Sequence, residues 1–405
     1  MAGKSGHVHE FSAQCLAEGA EAGIDRTVGE ELKGRHMMSD METSNMETSN
    51  MADADARRSL KADLARMNCR VHLTTPPLFT REPRSDMQTV LWRWNDLMPL
   101  LKRIGEQISL GSGGQRRTLR LANPGLPYGT THTFWGSIQY ILPGEVAEAH
   151  RHTAHAFRFI LKGGGCSTTV DGERYQMNEG DLVLTPSMTW HDHEHLGDEP
   201  MIWLDVLDIS LMRAMHATFF ESYTSQTQPV NPVPDRSYRA YGSGIMRSPR
   251  RGPPPRINPL LAYPREKALE ALEGATGLEP DPFDDVIMEY QNPLNGGPAM
   301  TNMAMTIQKL RPGFHGKARR HTGSKLYSVI SGHGTTIVDG KRYDWGPGDL
   351  LTVKPWAWHE HMNESLTGDA LLFQVNDSPA MDALGYYHEE TLQTAHGQQE
   401  SESAT

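Results

Sequence analysis

Three motifs occur twice in this 405-residue chain, each second copy 168 positions after the first. VDGERY from Val170 returns as VDGKRY from Val338, GDL from Gly180 returns from Gly348, and WHDH from Trp190 returns as WHEH from Trp358. RHT from Arg151 returns from Arg320, one residue out of step. A shared spacing across separated motifs marks a duplication, so the chain folds as two copies of one unit. The halves run over 85–250 and 255–390, with a polar tail over 391–405. Between them lies SPRRGPPPRINP (248–259), read as an extended linker because proline blocks both a helix interior and a central strand. The first 80 residues are set apart. METSN is repeated over 41–50, and so polar a run buries too little apolar area to offset its ordering entropy. Residues 1–50 are expected to be disordered, and Ala52–Met67 to form a helix.

Each half reads as short strands broken by turn signals. FWGSIQYILPG, FRFILKGGG, CSTTVDG, DLVLTP and MIWLDVLDI are apolar or alternating runs closed by PG, GGG, DG and EGD. Such spacing predicts an antiparallel sandwich or barrel, all-β with peripheral helices. The helical patterns lie outside these runs, at 92–108 and 207–223. Lys and Arg total 39 against 50 Asp and Glu, a net charge of -11, which argues against a nucleic-acid partner. No apolar run is long enough for a membrane span, and no secretory leader is visible. Cys15, Cys69 and Cys166 form no CxxC pair, so a disulfide scaffold and a zinc knuckle are excluded and a cytoplasmic setting is expected.

The histidines carry the chemistry. His150 and His152 are two apart, so on a strand they share a face. His191 and His193 repeat the arrangement on a later strand. Three neutral imidazoles, His150, His152 and His191, are therefore expected to hold a metal on one face with positions left open.

Around these residues, Gly144, His150 and His152, then Gly180, Pro186 and His191, resemble the two cupin motifs. The usual cupin glutamate would fall near Ala156 or Phe157 and is absent. Together with GGQRRTLRLANPG (113–125), FWGSIQY (134–140), HRHTAHAFRFI (150–160), LTPSMTWHDH (184–193) and WLDVLDI (203–209), that absence resembles the gentisate 1,2-dioxygenase family. The resemblance implies two tandem cupin (jelly-roll) barrels, Fe(II), and ring cleavage by O2. Gentisate would open between its carboxyl- and hydroxyl-bearing carbons to give maleylpyruvate. Salicylate, 5-substituted salicylates such as the nitro compound, and 1-hydroxy-2-naphthoate are alternative substrates. It also implies a homotetramer. A non-catalytic bicupin is the reading from another class; the three ligands in one half argue against it.

A third neutral histidine in place of the carboxylate leaves the site near a charge of +2, which suits a substrate that brings its own anion. An ortho-hydroxy benzoate does so, chelating through carboxylate and phenolate. Arg158 is expected to clamp the substrate carboxylate with its planar fork. Gln139 and Trp135 share parity on one strand and are expected to line the pocket; Arg116 is implied as a further substrate contact by the resemblance. His193 is expected to bond substrate or move a proton, and Asp205 to orient a ligand histidine or act as acid or base. In the second half, Arg319 stands where His150 does and Tyr327 where Arg158 does, while His321, His359 and His361 remain. An arginine beside two histidines raises the cost of a dication there, so no catalytic metal is expected in the second barrel.

Overall fold

The computed structural model describes residues 54–70, 79–110, 116–246 and 257–401, in two compact units divided after Phe79. In the first unit, residues 54–66 are helical, within the span expected from the sequence. Asp63 and Arg66 are paired across one turn at 2.7 Å. The expected disorder over 1–50 lies outside the described residues, as does most of the linker.

The second unit holds two β-barrels, each made of two antiparallel sheets. The first uses β2 (Thr118–Arg120), β3 (Trp135–Ile141), β4 (Val146–His152), β5 (Ala156–Lys162), β6 (Cys166–Val170), β7 (Glu173–Met177), β8 (Leu182–Thr185), β9 (His191–His195), β10 (Met201–Leu207) and β11 (Phe220–Ser222). Its sheets run β11-β4-β9-β6-β7 and β12-β8-β5-β10-β3-β2, where β12 is Ala262–Tyr263. The second barrel repeats the plan with β13 (Val286–Glu289), β14 (Ala304–Leu310), β15 (Arg319–His321), β16 (Lys325–Ser331), β17 (Gly334–Val338), β18 (Lys341–Trp345), β19 (Leu350–Val353), β20 (His359–Met362), β21 (Ala370–Asn376) and β22 (Glu389–Thr391). These are the tandem jelly-roll barrels expected from the sequence.

The repeated motifs are the corners of this plan. In both VDG copies, Asp and Gly take left-handed φ (45° and 81° at Asp171 and Gly172, 48° and 78° at Asp339 and Gly340). That is the two-residue turn whose twist matches a right-handed hairpin. The GDL motif works across the halves. The Asp181 carboxylate accepts the backbone N–H of Arg265, the first residue of the helix Arg265–Ala275, at 2.9 Å. The Asp349 carboxylate does the same for Trp94, first residue of the helix Trp94–Gln107, at 2.8 Å. An anion there meets the positive end of the helix dipole. The glycine before each aspartate has positive φ, and at Gly348 a Cβ would sit 2.5 Å from the Trp94 ring.

Two strands also cross between the halves. β1 (Val90–Trp92), inside the 85–250 stretch, pairs with β19 of the second barrel. β12, inside the 255–390 stretch, pairs with β8 of the first. The tail does not hang free either: Gln399 donates its backbone N–H to Glu360 at 3.0 Å, and Ala318 donates to the Gly397 carbonyl.

The two six-stranded sheets share one apolar core, which joins Ile138, Phe157, Phe159, Leu184 and Leu204 to Met305, Ile307, Leu326 and Phe373. Phe159 stacks on Phe373 with ring centroids 3.9 Å apart. Leu97 and Leu101 of the first helix are buried in the same core. The helix expected over 207–223 is shorter: only Ile209–Ala214 is helical, and Phe220–Ser222 pairs with β4. The exposed edge of β4 offered a ladder there, and Thr153 Oγ1 accepts the Phe219 N–H at 2.7 Å, so tertiary pairing outweighed helical propensity. Among the described residues no helix is long and apolar enough to cross a membrane.

Candidate metal centre

Strands β4 and β9 are neighbours, with His150 directly opposite His191. The register slips between Ala147 and His150, a bulge that turns the end of β4 inward. One ligand atom from each of His150, His152 and His191 lies within 4.8 Å of the other two. All three rings are tied from behind. Nδ1 of His150 faces the Glu148 carbonyl at 2.9 Å, Nδ1 of His152 the Ala154 carbonyl at 2.9 Å, and Nδ1 of His191 the Thr189 carbonyl at 3.0 Å. A carbonyl can only accept, so the proton is assigned to each Nδ1 and each Nε2 keeps its lone pair. Burial pushes His150 down to about 3, with Arg116 contributing, and His152 down to about 4. His191 is held well below the ordinary value by burial first, then by its neighbouring histidines. Its Nε2 is buried and meets no protein partner. Three neutral nitrogen lone pairs, fixed by backbone carbonyls and converging on one space, suit a divalent cation.

The facing sheet supplies the rest. On β5, Arg158 is buried, and its Nη1 donates to Thr185 Oγ1 at 2.5 Å. Its Nε lies 3.8 Å from Asp205 Oδ1 on the adjacent β10, in register with it. Neither that Nε nor that oxygen makes a hydrogen bond. Among the described residues Asp205 bonds none of the ligand histidines; it lies beside Arg158. Burial raises its carboxyl, and Arg158 and then Arg116 pull it back. Gln139 on β3 is fully buried with both amide atoms unpartnered. Trp135, two pairs along the same face, is half-buried with its indole N–H unpartnered; Tyr128 meets its ring edge-on at 5.1 Å. Arg116 reaches the back of His150: its Nη2 donates to the Glu148 carbonyl at 3.0 Å and lies 2.9 Å from His150 Nδ1. Burial, then Arg158, lowers its guanidinium to about 10. His193 is buried, with Nδ1 2.7 Å from Thr168 Oγ1 and Nε2 unpartnered.

Buried polar atoms rarely go unpaired. Here the unpaired ones cluster on inward-facing side chains of one barrel, an arrangement shaped for a polar ligand. Three contributors escaped the sequence reading. Thr168 and Thr185 hold His193 and Arg158, and the inward parity of CSTTV and LVLT carried the only signal for them. Phe220 lies over His150 at 5.2 Å between ring centroids, from a segment read as helix. His155 and His195 take no part in the cluster: His155 Nδ1 accepts the Ser187 N–H, and His195 Nε2 meets the Glu199 carbonyl.

Comparison with known proteins agrees with this geometry. The cupin domain family matches residues 137–207 and 306–375. A 5-aminosalicylate 1,2-dioxygenase from Comamonas sp is 43% identical over 316 residues, covering 76% of this chain and 83% of that protein. A gentisate 1,2-dioxygenase from Streptomyces sp is 38% identical over 306 residues, covering 73% of this chain and 84% of that protein. A solved structure of salicylate 1,2-dioxygenase from Pseudoaminobacter salicylatoxidans with gentisate superposes with a TM-score of 0.77 at 30% identity, covering 83% of this chain and 93% of that one.

Proposed function

The chain belongs to the gentisate 1,2-dioxygenase family of ring-cleaving bicupin enzymes, and from that premise we propose that it opens gentisate with Fe(II) and O2, between the carboxyl- and hydroxyl-bearing carbons, to give maleylpyruvate. The observation that carries this is the set of three neutral imidazole lone pairs with no protein carboxylate among them. Such a set leaves the anionic share of the coordination to the substrate. His150, His152 and His191 would hold the iron. When bound, it supplies the redox chemistry and brings ring and oxygen together on one centre.

The protein's own part is positioning and proton control. Arg158 receives the substrate carboxylate through its guanidinium, with Thr185 fixing one arm and Asp205 balancing its charge. The Gln139 amide bonds a substrate oxygen, and Trp135 forms one wall. Arg116 holds the Glu148 carbonyl against which His150 is oriented and adds positive potential against the arriving anion. His193, with Nε2 directed to no protein group, holds or releases a proton as the ring opens. The setting is cytoplasmic and the assembly a homotetramer.

A second substrate has support of its own. The Comamonas relative acts on 5-aminosalicylate and shares more identity with this chain than the Streptomyces gentisate enzyme does. A 5-amino group donates electrons to the ring as a 5-hydroxyl does. Anaerobically reconstituted Fe(II) protein, mixed in air with gentisate, 5-aminosalicylate or salicylate, is followed by the ultraviolet band of the ring-opened product. Gentisate is expected to turn over fastest; product from 5-aminosalicylate alone would transfer the assignment to that substrate, and no product from any would end it.

A further inference from the structure

The second barrel keeps three histidines of this pattern, and one of them, His321, is turned the opposite way from its counterpart His152. Gly323 donates its backbone N–H to His321 Nδ1 at 3.1 Å, so that ring carries its proton on Nε2. Thr336 Oγ1 accepts the Trp345 indole N–H at 2.9 Å, and its own hydrogen is assigned to His361 Nδ1, 2.9 Å away, the one side-chain acceptor it meets among the described residues. His361 then also carries its proton on Nε2. Both Nε2 atoms are buried and meet no acceptor among the described residues. His361 repeats the arrangement of His193 against Thr168, and His359 that of His191: its Nδ1 faces the Ala357 carbonyl, and Lys325 Nζ donates to its Nε2 at 3.2 Å.

Lys325 is 4% exposed. Among the described residues it has no carboxylate within ion-pair reach and makes that one side-chain hydrogen bond. Asp284, the buried acid that acts most on Lys325, is engaged by Arg319 and by Gln308 Nε2. The Tyr327 hydroxyl is buried and unpartnered, its ring edge-on to His361 at 4.7 Å. The His321 and His359 rings lie 5.5 Å apart, so these groups surround one interior. Arg319 engages Asp284 directly, and Asp284, Glu389 and Asp281 act on the Lys325 ammonium only from beyond ion-pair reach. Burial, with Arg319 beside it, holds that ammonium down to about 7.

We propose that the interior of the second barrel is a binding site for a small monoanion, a halide or small carboxylate, held by Lys325 Nζ, His321 Nε2–H, His361 Nε2–H and the Tyr327 hydroxyl. At His150, His152 and His191 the first barrel turns lone pairs inward and suits a cation; the second turns the His321 N–H, the Lys325 ammonium and the Tyr327 hydroxyl inward and suits an anion. Desolvated donors left without acceptors are costly, and a bound anion satisfies several of them together.

The iron-loaded enzyme is crystallised with sodium bromide, and anomalous scattering locates the ion. Thermal unfolding is followed in rising bromide, with sodium gluconate keeping ionic strength constant. Bromide is expected between Lys325 and His321, with a saturable rise in Tm. Lys325→Met is expected to lose both, and Tyr327→Phe to weaken them while keeping the fold. Bromide confined to the surface or to the Arg158 pocket, or an unchanged Tm response in Lys325→Met, overturns the proposal. Should Lys325→Met fail to fold, the ion's location and the Tyr327→Phe response decide.

Discussion

Three histidines were legible in the sequence because HxH forces two of them onto one strand face, and the structure brings His191 against that pair. What no motif could show is which nitrogen points inward, since that is set by backbone carbonyls at Glu148, Ala154 and Thr189. His152→Ala is therefore expected to abolish iron retention, measured by metal content after gel filtration. His321→Ala should leave turnover largely intact. Loss of turnover in both would mean that the second barrel takes part in catalysis. Asp205 was legible as a buried acid but not as the companion of Arg158, because that pairing depends on the register between β5 and β10. Hydrogen bonds to charged groups contribute about 1.5–3 kcal/mol, so Arg158→Gln should lower kcat/KM by roughly one to two orders of magnitude. Steady-state kinetics would show it mainly as a raised KM if the guanidinium only binds, and equally in kcat if it also orients the ring.

At the level of elements, strands β3, β5, β6, β8 and β10 followed from apolar or alternating runs and turn signals. The strand at Phe220–Ser222 did not, since its partner edge is nearly 70 residues earlier and its own sequence reads as helix. The exchange of β1 and β12 was equally hidden, because a two- or three-residue strand has no periodicity to read. GDL showed itself as a repeat, yet its purpose, capping the opposite half's helix, appears only in three dimensions. Asp349→Ala removes that cap and an ion pair to Arg93 at 3.1 Å. It should lower stability by about 1 kcal/mol, read as a shift in the denaturation midpoint with an unchanged slope. Phe373→Ala, which empties the stack against Phe159, should cost about 3–5 kcal/mol. A cost below 1 kcal/mol would mean that the shared core is loosely packed.

For the molecule as a whole, the duplication foretold two barrels, and their back-to-back sheets account for why the strands facing that core are apolar on one side and chemically active on the other. The same burial sets a pH response. His361 is held down to about 4, and His321 and His359 well below their ordinary 6.5, by burial. Below about 6.5 the unfolded chain takes up protons that these folded rings refuse, so stability falls as pH drops. Asp208 and Asp377, raised by burial to about 6, act oppositely, since they bind protons in the folded state first. Three imidazoles, two of them shifted far, outweigh two carboxylates. Denaturant midpoints should therefore decline from pH 7 to pH 5, and a midpoint at pH 5 equal to that at pH 7 would contradict the balance. Iron at the first site adds to the decline, because acid competes with the metal for its ligands.

The crossing of β1 into the second barrel carries a cost in time. During synthesis Val90–Trp92 leaves the ribosome early, while its partner Leu350–Val353 is more than 250 residues away and not yet made. The first barrel likewise lacks its outer strand until Ala262–Tyr263 emerges. Neither half can close as it is translated. The nascent polypeptide must shelter the edge of β8 until Tyr263 is free and the unpaired β1 until Thr352 is, and slow late docking, with a demand for chaperones, follows from the connectivity.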